Sequence, residues 1–144
     1  MSRFALFALL CLPHLATAQQ SAPRRPAAWT AATIPWAEVY PGGTKYALLE
    51  GRRDVAGEAF TYAFYIPAGY WEHHWHSADA RVAVLQGALK LAYGSVLDSL
   101  HTTSYGVGSF ALVPANRQHT MGADEPTVII GTAVGPWATH QHGH

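Results

Sequence analysis

The chain has 144 residues, with 9 Lys+Arg, 9 Asp+Glu and 9 His, and 49% of its residues are hydrophobic. That length and composition fit one globular domain with a sizeable core and exclude a disordered chain. The charges balance, and only 12% of residues carry one, so there is no electrostatic footprint for nucleic acid or for an anionic membrane.

Arg3 opens the chain with a short positive region. Phe4 to Leu12 is an apolar run of nine, and Ala16-Thr17-Ala18 is a small-x-small site followed by polar Gln19-Gln20-Ser21. Residues 1–18 therefore read as a secretory signal peptide, with an apolar part too short to span a bilayer. This predicts a periplasmic or secreted protein that starts near Gln19 and makes no membrane contact after cleavage. Cys11, the only cysteine, lies inside that segment. The mature chain then has no disulfide, no thiol nucleophile and no zinc–thiolate site. Leu10 is too bulky for a typical lipoprotein signal.

Residues 19–35 are rich in Pro, Ala and Ser, with Arg24-Arg25-Pro26, and read as a flexible or extended lead-in. Strand-like runs and turn signals then alternate. Pro41-Gly42-Gly43 precedes Thr44–Leu49, and a polar loop over Gly51–Gly57 leads to the aromatic and β-branched run Ala59–Ile66. Pro67-Ala68-Gly69 separates this from Tyr70–His76, and Ser77–Asp79 turns into Arg81–Leu85. Gln86-Gly87 is a tight turn into Ala88–Tyr93, and a longer loop runs from Gly94 to about Gly108. Ser109–Val113 precedes Pro114-Ala115-Asn116, and Thr127–Val134 closes the series before Gly135-Pro136-Trp137. This predicts about seven or eight short strands, no amphipathic helix, and an all-β sandwich or barrel. No repeat, GxGxxG, P-loop or GxSxG is present. Residues 138–144 form a His-rich tail, His140-Gln141-His142-Gly143-His144. Alternating histidines can chelate a metal, but the segment reads as a mobile tail without a defined role.

The sharpest feature is His73-His74-Trp75-His76. In a strand, residues two apart share a face, so His74 and His76 point one way while His73 and Trp75 point the other. Two imidazoles so placed suit cis positions on one metal ion. His119 lies 43 residues after His76, just beyond Pro114-Ala115-Asn116.

The segment Gly69 to Gly87, an H-x-H followed by a strand and a Gly turn, resembles the first motif of the cupins. Gly108-x5-Pro114-x-Asn116-x2-His119 resembles the second, with Asn116 where Gly is usual. Phe64-Tyr65-Ile66-Pro67-Ala68-Gly69, Val82-x-Val84-Leu85-x-Gly87 and Gly135-Pro136-Trp137 add to the likeness. It covers residues 36–137, and the whole is similar to a small single-domain bacterial cupin of the RmlC-like superfamily. The resemblance implies an antiparallel jelly-roll β-barrel holding a divalent metal ion (iron, manganese or zinc among the candidates) on His74, His76 and His119. Imidazole suits most of the metals such families hold, so the residues do not choose among them.

One departure from the cupin pattern matters. The family places a Glu four residues after the second His, where this chain has Ala80 followed by Arg81. Three arrangements stay open: a three-His site with open positions, a site in which Glu72 or Asp79 supplies the missing carboxylate, and a site that has lost its metal. Glu72 shares the strand parity of His74 and His76. Arg81 alternates away from the barrel interior. Tyr62, Phe64, Tyr65 and Tyr93 read as core or barrel lining. Trp36, Trp71, Trp75 and Trp137 read as core or as a homodimer face, since many cupins pair through their outer strands. His101 reads as a loop residue. The functional expectation is an exported metal-dependent enzyme, dioxygenase-like or isomerase/lyase-like, acting on a small organic substrate. The alternative is a periplasmic cupin that binds a small ligand or a metal without catalysis.

Overall fold

The computed structural model describes residues 25–141. The signal peptide read over residues 1–18, Cys11, and the tail histidines His142 and His144 lie outside the described residues. Within them the chain forms eleven strands and one 3-10 turn, Ala31–Thr33. The strands are β1 (Glu38–Val39), β2 (Lys45–Glu50), β3 (Ala59–Ile66), β4 (Tyr70–His76), β5 (Ala80–Gln86) and β6 (Ala88–Tyr93). They continue with β7 (Thr103–Gly106), β8 (Phe110–Val113), β9 (His119–Ala123), β10 (Thr127–Val134) and β11 (Thr139–Gln141). One antiparallel sheet has the order β1-β2-β3-β10-β5-β8, and the other has β11-β4-β9-β6-β7. This is the predicted all-β, antiparallel jelly roll.

Alternation explains why the strands face as they do. Along β3, Phe60, Tyr62 and Ile66 turn inward, while Ala63 and Tyr65 sit on the opposite face. Ile66, Val82, Val84, Leu89, Leu91 and Ile129 belong to the core between the sheets. Burial of such side chains stabilises the fold by about 1.5–3 kcal/mol each. A second cluster covers the outer face of β2, β3 and β10. There Ile34 from the lead-in and Trp36 just after it pack over Ala47, Ala63 and Val128. Part of the predicted flexible lead-in is thus anchored, with Ile34 only 8% exposed.

Four strands lie outside those read from the sequence: β1, β7, β9, which begins at His119, and β11. The loop after Gly94 contains β7, and the tail contains β11, which pairs with β4 through Thr139↔His76 and Gln141↔His74. Gly87 is also more than a turn. It carries the chain from β5 in one sheet to β6 in the other, at φ +70, with the Pro126 carbonyl where a side chain would begin.

Candidate metal centre

β4 delivers His74 and His76 to the barrel interior, and β9 begins at His119, directly opposite His74 in the ladder. The turn before His119 is tied to the same strand, because the Asn116 N–H donates to the His76 carbonyl at 2.8 Å. Asn116 has φ +58, a left-handed conformation that Asn tolerates better than most residues. This accounts for Asn at a position where Gly is usual in the resembled motif.

The three imidazoles meet. Ring centroids lie 4.3 Å apart for His74 and His119, 4.7 Å for His74 and His76, and 5.3 Å for His76 and His119. His74 Nε2 and His76 Nε2 are 3.2 Å apart, and one donor atom from each of the three residues falls within 4.8 Å of the others. Two nitrogens at about 2.1 Å from one ion would lie about 3.0 Å apart at a right angle and about 3.4 Å apart at a tetrahedral angle. The observed pair falls between. The rings are buried, with His74 and His119 at 1% exposure and His76 at 8%.

Outer contacts set which nitrogen faces the centre. His119 Nδ1–H donates to the Arg117 carbonyl at 2.9 Å, so its Nε2 keeps the lone pair. His76 Nδ1 lies 3.2 Å from Thr139 Oγ1. His74 Nδ1 is buried with Glu72 Oε1 3.3 Å away, out of line for a hydrogen bond. Burial, and next the neighbouring imidazoles (His119 foremost), push His74 down to about 2 and His76 down to about 3. Burial lowers His119 as well, against the carbonyl of Arg117. All three are therefore neutral at pH 7, the form that binds a metal.

Glu72 takes a different place from the one its parity suggested. The group of donor atoms closes without it, and its carboxylate sits behind His74, on the Nδ1 side. Glu72 Oε2 accepts from the Tyr70 hydroxyl at 2.9 Å and from Gln141 Nε2 at 3.3 Å. Burial raises its carboxyl above the ordinary range, opposed by those two hydrogen bonds. Asp79 accepts the Ala115 N–H at 2.8 Å and lies 3.9 Å from Arg81, whose side chain is 50% exposed. Ala80 is 1% exposed and lines the same cavity as the histidines.

That cavity has a volume of about 740 Å³. Tyr62 and Phe64 line it, as does Trp137, while Tyr65 packs outside against Trp36 at 6.3 Å. Tyr93 is half exposed, its hydroxyl donating to the Leu112 carbonyl at 3.3 Å. A stack of rings runs inward from Tyr46 to Tyr62 (5.7 Å), Trp137 (5.4 Å) and His76 (4.5 Å). His73 faces away and donates from Nε2 to the Gly94 carbonyl at 2.9 Å, and His101 pairs with Asp98 at 3.0 Å in a surface loop. Trp137, Thr139 and Gln141 escaped the site reading. Their signal is their inward parity, visible only once β11 is seen to pair with β4.

The sequence matches no protein-family model and no curated protein. Solved structures match in architecture. An RmlC-like cupin from Shewanella frigidimarina has a TM-score of 0.57 at 15% identity, over 74% of this chain and 87% of its own. A Methylibium petroleiphilum protein to which acetylacetone dioxygenase activity is attributed scores 0.60 at 17% identity, over 82% and 83%. The polyketide cyclase RemF of Streptomyces resistomycificus scores 0.56 at 18% identity, over 70% and 72%. At these identities the likeness is one of fold: the chain folds as a cupin jelly roll, with three histidines placed to hold a metal ion inside it.

Proposed function

We propose that the protein is a metal-dependent enzyme acting on a small organic molecule inside the barrel, dioxygenase-like or isomerase/lyase-like. The observation that carries this reading is the convergence of three neutral, buried imidazoles in a large cavity. No fourth protein ligand joins them among the described residues. A divalent ion held by His74, His76 and His119, whether iron, manganese or zinc, supplies Lewis acidity and, as iron, chemistry with O2.

The chain's own residues shape what enters. Leu89, Leu91, Val113 and Met121 line one part of the cavity and exclude water. Tyr62 and Trp137 offer flat faces to a planar substrate. The Trp137 indole N–H is buried without a hydrogen-bond partner, so it offers a donor to a ligand oxygen. A compact molecule with enol, carboxylate or diketone oxygens fits this lining. The similarity to a protein with attributed acetylacetone dioxygenase activity supports a diketone as the first compound to try. We further propose export to the periplasm or beyond, from the signal-like residues 1–18. Mass spectrometry of the native protein should then find a mature N terminus near Gln19.

The deciding experiment is elemental analysis of the mature chain, purified without chelator, beside His119→Ala. Near-stoichiometric metal in the first and loss in the second are expected. Protein that is empty and takes up no added Fe(II), Mn(II) or Zn(II) would overturn the reading. If metal is bound, turnover of enolisable compounds is assayed next. Tight binding of a compound recovered unchanged would make the protein a binding protein instead.

A further inference from the structure

The last strand, β11, makes more contacts with the histidine site than a three-residue edge strand requires. Its register against β4 places Thr139 beside His76, His140 beside Trp75 and Gln141 beside His74. Strand parity then divides the work. On the inner face, Thr139 Oγ1 meets His76 Nδ1 at 3.2 Å, and Gln141 Nε2 donates to Glu72 Oε2 at 3.3 Å. Glu72 in turn puts its other oxygen 3.3 Å from His74 Nδ1. On the outer face, the His140 ring stacks on Trp75 at 3.9 Å and 14° between planes. The strand is led in by Ala138, whose N–H donates to Ser77 Oγ at 2.9 Å, and whose carbonyl accepts from the Ser77 N–H at 3.1 Å.

We propose that β11 is the outer half of the metal centre. Thr139 and Gln141 are positioning residues that hold His76 directly and His74 through Glu72, so the C-terminal strand sets how tightly the ion is retained. This rests on the metal-centre reading above. The physical reason is the tautomer. An imidazole that gives its Nε2 lone pair to a metal carries its proton on Nδ1, and that N–H needs an acceptor. For His119 the acceptor is a backbone carbonyl, supplied by the fold itself. For His76 it is the Thr139 hydroxyl. For His74 no acceptor is in line, and the nearest is the Glu72 carboxylate, 3.3 Å from Nδ1, whose other oxygen is engaged by Gln141 and Tyr70. Two of the three ligands thus depend on side chains that β11 brings.

The test is Co(II) titration of the metal-free mature chain, reading the d–d absorption and the Kd by chelator competition. It is run on wild type, a chain ending at Ala138, Thr139→Val and Thr139→Ser. Wild-type binding with a Kd raised on the order of 10–100-fold by the truncation, and about tenfold by Thr139→Val, is expected. Thr139→Ser, which keeps the acceptor, should restore the wild-type spectrum and a Kd within about twofold. Unchanged Kd and spectrum in Thr139→Val would overturn the inference while leaving the metal reading intact. A wild type that binds no cobalt would overturn both. Should the truncated chain fail to fold by circular dichroism, the Val and Ser pair decides alone.

Discussion

Lowering the pH of the metal-free protein from 7 to 5 should cost it a large share of its stability. His74 is held at about 2 and His76 at about 3, against 6.5 for an ordinary histidine. Between 6.5 and those values the unfolded chain binds protons that the folded chain refuses, so folding stability falls as pH falls. It is fully present above about pH 7 and is lost steadily from pH 6.5 toward pH 3. Each residue contributes about 1.36 kcal/mol per pH unit in that window, hence about 2 kcal/mol at pH 5 and about 4 kcal/mol for the pair. His119 acts in the same direction. Glu72, raised above its ordinary value, acts in the opposite one and gains ground for the folded state near its own titration. The assay is urea unfolding of chelator-treated protein at several pH values, with His76→Gln as the control. The variant should lose about 2 kcal/mol less than wild type over the same interval. Equal wild-type stability at pH 7 and pH 5 would refute the claim that these imidazoles are desolvated and packed together.

Three further outcomes are expected. Ala80→Glu restores a carboxylate at a buried position lining the histidine cavity and should tighten Zn(II) binding by about tenfold, or about 1.4 kcal/mol, in a chelator competition. An unchanged Kd would mean that position 80 is out of reach of the ion. Glu72→Gln keeps the side-chain volume but removes the charge behind His74, so metal affinity should fall about 10–100-fold, and full affinity would show that the carboxylate has no part in orienting the ring. Gly131→Ala drives a methyl group into the Tyr62 ring. It should destabilise the fold by about 1–3 kcal/mol, seen as a lower Tm by calorimetry, and an unchanged Tm would show that Tyr62 can move aside.

The strands most legible in the sequence are those whose side chains alternate between core and outside. Ala59–Ile66, Tyr70–His76 and Thr127–Val134 appear in the structure with the bounds read from the sequence. β7, Thr103–Gly106, has no buried residue and so carries no periodic signal. β11 is equally silent, because Thr-His-Gln has no apolar alternation and its pairing with β4 is made by backbone. The histidine triad was readable because two of its members share a strand face, and the third follows a turn whose residues have their own pattern. Glu72 illustrates the limit of parity. Sharing a face with His74 places its carboxylate near the ring, but not on the side where the three donor nitrogens meet. Trp137 stacks on His76 across 61 positions of chain, a distance over which no local pattern operates.

The position of β10 carries a consequence for how the chain assembles. This strand, Thr127–Val134, lies between β3 and β5 and pairs with both. Two halves of the larger sheet, β1-β2-β3 and β5-β8, stay unjoined until their common partner β10 is available, and β10 begins 61 positions after β3 ends. Loop closure of that size is slow relative to hairpin formation. A nascent chain therefore holds these two halves apart until β10 has emerged, and the larger sheet closes late. Until then the edges of β3 and β5 that β10 later covers are the places where premature association would begin.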